Sequence, residues 1–269
     1  MPKSSFADWG ISPSRLTKAL PCPAGLASTH TDTLSWVAVR KVPKLRGGRS
    51  TLRRILVWIL YLVLGYYACI VLALSGLRFI DPPSTGVQTQ RRVESWFKKG
   101  KYQKRYNFVP LARISPNFQW AVIAAEDGHF YQHHGFDWEQ IKDAVEDGME
   151  DRRIRGASTI SQQLVKNLFF TTAGSAIRKG LEFTITPLAE LILGKKRILE
   201  LYLNVSEWGP GVFGAEAAAQ YHYHTNASRI SREQGARLAA ILPSPLRRTP
   251  ARMDHYSAII LTRMGQLGR

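Results

Sequence analysis

Two adjacent carboxylates, Glu126 and Asp127, directly follow the apolar run AVIAA. Apolar surroundings raise the pKa of a carboxyl group because burial disfavours its charged form. Glu126 is therefore a candidate general base that could take a proton from an attacking hydroxyl group. On the residues alone, a helix end exposed to water explains Glu126 equally well.

A second set of polar residues lies in the segment GASTISQQLVKNL. Ser158, Gln162 and Lys166 recur at i, i+4 and i+8, so they share one face of a helix. Apolar residues repeat on the other side: Ile160, Leu164 and Leu168. An ordinary amphipathic helix has the same spacing. Further along, Arg178 and Glu182 have the i, i+4 spacing that is common in surface ion pairs.

Three short motifs are similar to known sites but lack the required context. The run GPGVFG fits the glycine pattern of a dinucleotide site, but it contains a proline and follows the helical segment ILELYLN. His129 and His133 have the spacing of metal ligands on a helix, yet the glycine and aromatic residues around them favour a turn. A Ser-x-x-Lys match occurs without the Lys-Thr-Gly of a serine acyltransferase.

The elements that position these residues are predicted to be helices. Four residues are predicted to begin them: Ser115, Asp137, Ser158 and Ser175. The first helix should end near Asp127, and Pro187 should kink or split the fourth. Because no strand pattern of convincing length is present, the predicted fold class is mainly α.

Charge divides the chain into three parts. Lys and Arg total 37 against 20 Asp and Glu, which gives a net charge of +17. Residues 1–54 hold ten basic and two acidic side chains, residues 55–77 hold no charged side chain, and residues 78–269 hold 27 basic and 18 acidic ones. The middle part is long enough for a transmembrane helix, which needs about 20 apolar residues. A signal peptide and a buried core helix are the alternatives that fit its length and position less well.

Basic residues also predict an orientation and a partner. Seven of them precede the apolar segment, with no acid among them: Arg40, Lys41, Lys44, Arg46, Arg49, Arg53 and Arg54. By the positive-inside rule, residues 1–54 form a cytoplasmic tail and residues 78–269 lie outside. Residues 1–39 are predicted to be disordered. Residues 78–269 lack a basic stripe with interleaved aromatic residues, the pattern that would indicate nucleic-acid binding. We therefore expect the basic residues to lie against the membrane surface.

Five segments of the sequence carry a family resemblance. In order, they are AEDGHFYQHHGFD, GASTISQQLVKNLFF, RKGLE, KKRILELYLN and EWGPGVFGAEAAAQYH. They resemble the five motif blocks of the peptidoglycan glycosyltransferases, specifically the monofunctional biosynthetic transglycosylases. The resemblance covers roughly residues 55–260. It implies a lysozyme-like, mainly α-helical glycosyltransferase domain preceded by one transmembrane helix.

The resemblance also implies a reaction and the residues that perform it. Glycan would be polymerised from lipid II, with Glu126 as the general base. Lys166 and Arg178 would neutralise the departing pyrophosphate, assisted by Glu182 directly or through a divalent cation, Mg²⁺ or Mn²⁺. No organic cofactor is implied. Further substrate contacts are implied for Asp127, Ser158, Thr159, Gln162, Gln163, Asn167 and Lys179.

The implied location is the bacterial inner membrane, with a single span and a periplasmic catalytic domain. The implied partners are lipid II, the growing glycan chain, the membrane and other proteins of cell-wall synthesis or the divisome. Exposed apolar residues such as Phe169 and Phe170 are expected to contact the lipid interface. Two alternatives are a lysozyme-like glycan hydrolase and a non-catalytic anchored scaffold. Neither would need the cations Lys166 and Arg178.

Overall fold

A computed structural model describes residues 48–97, 102–151 and 158–269. These residues form nine α-helices: α1 (Gly48–Leu77), α2 (Gly86–Phe97), α3 (Pro116–Glu126), α4 (Trp138–Asp151), α5 (Ile160–Phe169), α6 (Ala176–Val205), α7 (Ala215–Tyr223), α8 (Arg232–Ile241) and α9 (Asp254–Gln266). They also form three short strands: β1 (Arg105–Tyr106), β2 (Glu207–Gly209) and β3 (Val212–Phe213). The predominance of helix agrees with the predicted fold class.

The helices enclose a core in which α5 packs along α6, and α3 packs against α8 and α9. Among the fully buried side chains are Phe118 of α3 and Trp208 of β2, whose rings meet edge to face with centroids 5.0 Å apart. The strands form a sheet of order β1-β3-β2, in which β1 is parallel and β2 antiparallel to β3. Each strand has only two or three residues, too short to show a sequence pattern.

Most helix starts agree with the sequence prediction. Ser115 precedes α3, Asp137 Oδ1 accepts a hydrogen bond from the Gln140 N–H, and Ser175 accepts one from the Arg178 N–H. The predicted start at Ser158 was wrong by one residue, because Thr159 is the N-cap of α5. Thr159 and Gln162 form a capping box in which each side chain accepts a hydrogen bond from the other residue's backbone N–H. That reciprocal pair fixes where α5 begins.

The break in α6 lies at Gly194 and not at Pro187, so its predicted position was wrong. Pro187 is carried inside the helix, while Gly194 has φ 73° and ψ 160°. A proline removes one helical hydrogen bond, yet its fixed φ still suits a helix. The conformation of Gly194 lies in a region that is essentially restricted to glycine, so it redirects the chain.

The apolar helix that precedes the domain is long enough to anchor it in a membrane. The candidate span is Thr51–Leu77, with mean hydropathy 2.5 and 6% of its most apolar window buried. In its C-terminal part Ile70 and Leu74 are buried, and Tyr67 Oη lies 2.6 Å from Thr184 Oγ1 of α6. The helix begins at Gly48, inside the predicted tail, whereas residues 1–47 lie outside the described residues.

Two glycines of α6 test the role of the break. A Cβ added at Gly194 or at Gly180 would meet no atom within 4 Å. The two sites therefore differ in backbone conformation and not in the space for a side chain. We expect Gly194→Ala to lower the free energy of unfolding by about 1–3 kcal/mol, because alanine disfavours this conformation. The control Gly180→Ala, in regular helix, should raise it by about 0.5–1 kcal/mol. Denaturant unfolding of the detergent-solubilised chain measures both, and equal shifts would contradict the assignment.

Candidate active site

Glu126 ends α3 and is held by a chain of two hydrogen bonds. Its Oε2 accepts from Gln163 Nε2 at 2.7 Å, and Gln163 Oε1 accepts from the hydroxyl of Tyr202 at 2.9 Å. Tyr202 is buried in the core, so it fixes the orientation of the Gln163 amide. Burial raises the pKa of Glu126, although the Gln163 hydrogen bond and the charge of Lys166 oppose this. The result is an oriented carboxylate with increased basicity.

Asp127 has a different environment from its neighbour. Its side chain has an exposed fraction of 0%, and Oδ2 accepts from the Ile160 N–H at 2.9 Å. His133 Nδ1 accepts from the Gly135 N–H, so Nε2 carries the proton that His133 donates to Asp127 Oδ1 at 2.9 Å. Asp127 thus joins the end of α3 to the start of α5. A direct contact between Asp127 and substrate stays a prediction.

A cluster of charges lies at the start of α6 beside α5. Glu182 is buried; its Oε1 lies 2.5 Å from Arg178 Nη1, and its Oε2 lies 3.5 Å from Lys179 Nζ. Lys166 is partly buried, and this burial lowers its pKa, whereas the negative charges of Glu182 and Glu126 raise it. An exposed ion pair of Arg178 and Glu182 would contribute little to the stability of the fold. Here the carboxylate is buried, and it holds two cations near Lys166.

The remaining predicted site residues fall into two groups. Gln163, Lys166 and Asn167 line a cavity of about 320 Å³, together with Tyr202 and the loop of residues 242–247. Thr159 and Gln162 are buried in the capping box, and Thr159 Oγ1 also donates to the carbonyl of Gly135 at 2.7 Å. Ser158 Oγ lies 3.4 Å from Lys179 Nζ. The structure therefore brings Gln163, Lys166 and Asn167 together in one cavity, whereas Thr159 and Gln162 are buried in the cap of α5.

Sequence reasoning missed several residues of this cavity. Tyr202 lies in a run with core spacing, ILELYLN, which gives no sign that its hydroxyl reaches Gln163. Arg91 Nε donates to Glu207 Oε2 at 2.9 Å, and both residues line the cavity. They are 116 positions apart, so no local pattern could pair them. The pKa of Glu207 is raised by its burial, although Arg91 opposes this.

The described residues offer a poor donor set for the expected divalent cation. Among residues 48–97, 102–151 and 158–269, no group of three His, Cys, Asp or Glu side chains is placed to hold a metal. Glu182 is one carboxylate between two cations, which does not fit a resident Mg²⁺ or Mn²⁺ ion that prefers several oxygen ligands. His129 and His133 pair separately with Asp137 and Asp127.

Comparison with known proteins identifies the family that carries this arrangement. A family model described as Transglycosylase matches residues 91–265, which include every residue of the site. The chain belongs to the transglycosylase family. The predicted family, its enzyme class and the helical fold class are thereby confirmed.

Similar transglycosylases support the same assignment. A biosynthetic peptidoglycan transglycosylase of Pseudomonas entomophila is 44% identical over 223 residues, covering 81% of this chain and 93% of the relative. One from Pseudomonas aeruginosa is 43% identical, covering 82% of this chain and 95% of the relative. One from Pseudomonas putida is 46% identical over 195 residues, covering 71% and 83%. This transglycosylase is a peptidoglycan glycosyltransferase of cell-wall synthesis.

The environment of Glu126 predicts the pH dependence of the transglycosylase. A general base must be ionised, so kcat/KM falls as pH drops through its pKa. Because burial raises this pKa above its usual value of 4.5, we expect the acidic limb of the profile at a higher pH than an ordinary glutamate gives. Gln163→Leu removes a hydrogen bond that favours the ionised form of Glu126. The pKa of Glu126 should then rise further, and the acidic limb should move to a still higher pH.

Initial rates of glycan formation across a pH series measure this limb. Gln220→Leu is the matched control, since Gln220 is an exposed amide on α7 whose partner is Glu216. The control should leave the limb in place. A limb that is unmoved in Gln163→Leu would show that this hydrogen bond does not tune the base.

Proposed function

We propose that the chain polymerises glycan strands from lipid II by inverting β-1,4 transfer. The acceptor's 4-hydroxyl oxygen attacks the anomeric carbon of the growing chain, and Glu126 takes the hydroxyl proton. The bond from that carbon to the pyrophosphate breaks, and undecaprenyl pyrophosphate leaves with the electron pair. The observation that carries this proposal is one partly buried carboxylate, oriented by Gln163, with the ammonium of Lys166 close enough to affect its pKa.

The cations beside the base suit the leaving group. Negative charge grows on the pyrophosphate as its bond breaks, and preorganised cations stabilise that charge most in the transition state. Lys166 and Arg178 supply two such cations, and Glu182 orients the second. Within the part of the chain that the structure describes, Arg178 Nε is buried without a hydrogen-bond partner. This N–H is therefore available to a phosphate oxygen.

The divalent cation is proposed as a companion of the substrate. Pyrophosphate oxygens are preferred ligands of Mg²⁺ and Mn²⁺, whereas the Glu182 carboxylate is already held between Arg178 and Lys179. When bound, the ion would add positive charge at the leaving group. Lys166 and Arg178 perform the same neutralisation from the protein side.

The anchor supports a reaction between lipid-linked substrates. We place the N-terminus in the cytoplasm and residues 78–269 in the periplasm of a bacterium with an inner membrane, because seven basic residues precede the span. Enzyme and substrates are then confined to one surface, which raises their effective concentration. Association with other cell-wall synthesis or divisome proteins stays a prediction.

The apolar surface that faces solvent differs from the one predicted. Phe169 and Phe170 are partly buried and pack against the core, so they are not the exposed pair that was expected. Ile177 and Leu191 of α6 have exposed fractions of 79% and 81%. We propose that these residues, on the helix that packs against the anchor, contact the lipid interface.

Loss of single charges tests the proposed roles. We expect Glu126→Gln to slow polymerisation by at least about 100-fold, because an amide cannot accept the hydroxyl proton. Lys166→Met should lower kcat by about 100-fold or more through the loss of transition-state stabilisation. Polymer formed from labelled lipid II by the detergent-solubilised chain, resolved on a gel, measures both rates.

Lys196→Met is the matched control, since Lys196 is an exposed lysine of α6 outside both the cavity and the charge cluster. It should retain the rate of the parent chain. Full activity of Glu126→Gln would remove Glu126 as the base. Shortening of pre-made glycan by the parent chain, without polymer formation, would favour the hydrolase instead.

A further inference from the structure

Glu126 contributes to the lining of a second cavity, of about 430 Å³. Its walls come from the end of α3, the turn that follows, α4 and α9, and its polar lining comprises Glu126, Asp127, His129, Gln140, Arg263 and Gln266. Glu126 lines this cavity, while its partner Gln163 lines the cavity that contains Lys166. Glu126 is therefore linked to the cavity of Lys166 through Gln163, while its own side chain lines the second cavity.

The polar side chains of this second cavity are available to a ligand. Among the side chains that the structure describes, which exclude those of residues 144–145 and 147–151 of α4, the side chains of Arg263, Gln140 and Gln266 have no hydrogen-bond or ion-pair partner. His129 Nδ1 lies 2.9 Å from Asp137 Oδ2, which leaves Nε2 of the ring unpaired among the same residues. The cavity thus offers a guanidinium, two amides and an imidazole nitrogen.

The lining is preorganised on the α4 side. Asp137 Oδ1 caps α4 by accepting from the Gln140 N–H at 3.0 Å, and Oδ2 holds His129. Burial opposes the ionisation of Asp137, but these two hydrogen bonds outweigh burial and lower its pKa. An ionised Asp137 keeps the His129 ring and the first turn of α4 in one arrangement. Arg263, on α9, lines this cavity together with Glu126, and its guanidinium has no ion pair among the side chains that the structure describes.

We propose that this cavity binds the peptide stem of the acceptor substrate, with Arg263 on a stem carboxylate. The inference rests on the proposed function, since the acceptor hydroxyl must lie at Glu126. The stem is attached to the sugar next to the one that bears this hydroxyl, so it lies near the base. A guanidinium binds a carboxylate through two parallel hydrogen bonds, and amides satisfy peptide groups.

The same guanidinium could bind a phosphate, so the test varies the stem and keeps the pyrophosphate constant. Initial rates are measured for the full chain with two substrates: lipid II with free stem carboxylates and lipid II with those carboxylates amidated. We expect Arg263→Gln to lower kcat/KM at least about tenfold for the acidic stem, the effect of one hydrogen bond to a charged group. The amidated substrate should show no further loss.

Two further variants sharpen the result. Arg263→Glu should lower kcat/KM more than Arg263→Gln with the acidic stem, because like charges repel, and should again be neutral with the amidated stem. Arg252→Gln is the matched control, since Arg252 is exposed and lines neither cavity. Unchanged rates with the amidated stem also show that the variants are folded.

Two results would overturn the inference. Equal losses of Arg263→Gln with both substrates would assign Arg263 to a group that both share, such as the pyrophosphate. No loss with either substrate would remove the cavity from substrate binding. In both cases the parent chain still forms polymer, so the proposed function stands. A parent chain that polymerises neither substrate would instead overturn the proposed function itself.

Discussion

The site depends on one buried carboxylate that performs no chemistry in our proposal. Asp127 accepts hydrogen bonds from the first N–H of α5 and from His133, and it is removed from water. Burying a charge is costly unless hydrogen bonds compensate for it, and the positive end of a helix adds to that compensation. This clamp fixes α5 relative to the end of α3. Gln163, in the first turn of α5, is thereby placed within 2.7 Å of Glu126.

In the proposed reaction, the charges of the site affect one another's ionisation. Burial favours neutral Glu126 and neutral Lys166, since it raises the first pKa and lowers the second. Their mutual attraction opposes both shifts, and Glu182 adds to the attraction on Lys166. Burial therefore raises the basicity of Glu126, and the charge of Lys166 limits that rise. Arg178 and Lys179 stay beside Glu182, whose burial would be unfavourable without them.

The sequence predicts local features of this fold well and contacts between distant segments poorly. Caps such as Ser115 and Ser175 depend on a few neighbouring residues, so they could be predicted. The family resemblance pointed to Glu126, but not to the different environment of Asp127. The bond of Asp127 to Ile160 joins residues 33 positions apart, which no helical period encodes. Arg263 was missed for the same reason, since only the packing of α9 on α3 brings it to the base.

The anchor and the leaving-group site share one helix. Near its N-terminus α6 carries Arg178 and Glu182, and Thr184 in the same part of the helix contacts Tyr67 of α1. Beyond the break at Gly194, Arg197 Nε donates to the carbonyl of Leu77 at 2.9 Å, where the apolar helix ends. In our proposal, the pyrophosphate of the lipid-linked substrate lies at the depth of the head groups. Because α6 is hydrogen-bonded to the end of the anchor, its cations would be held at a set distance from that depth.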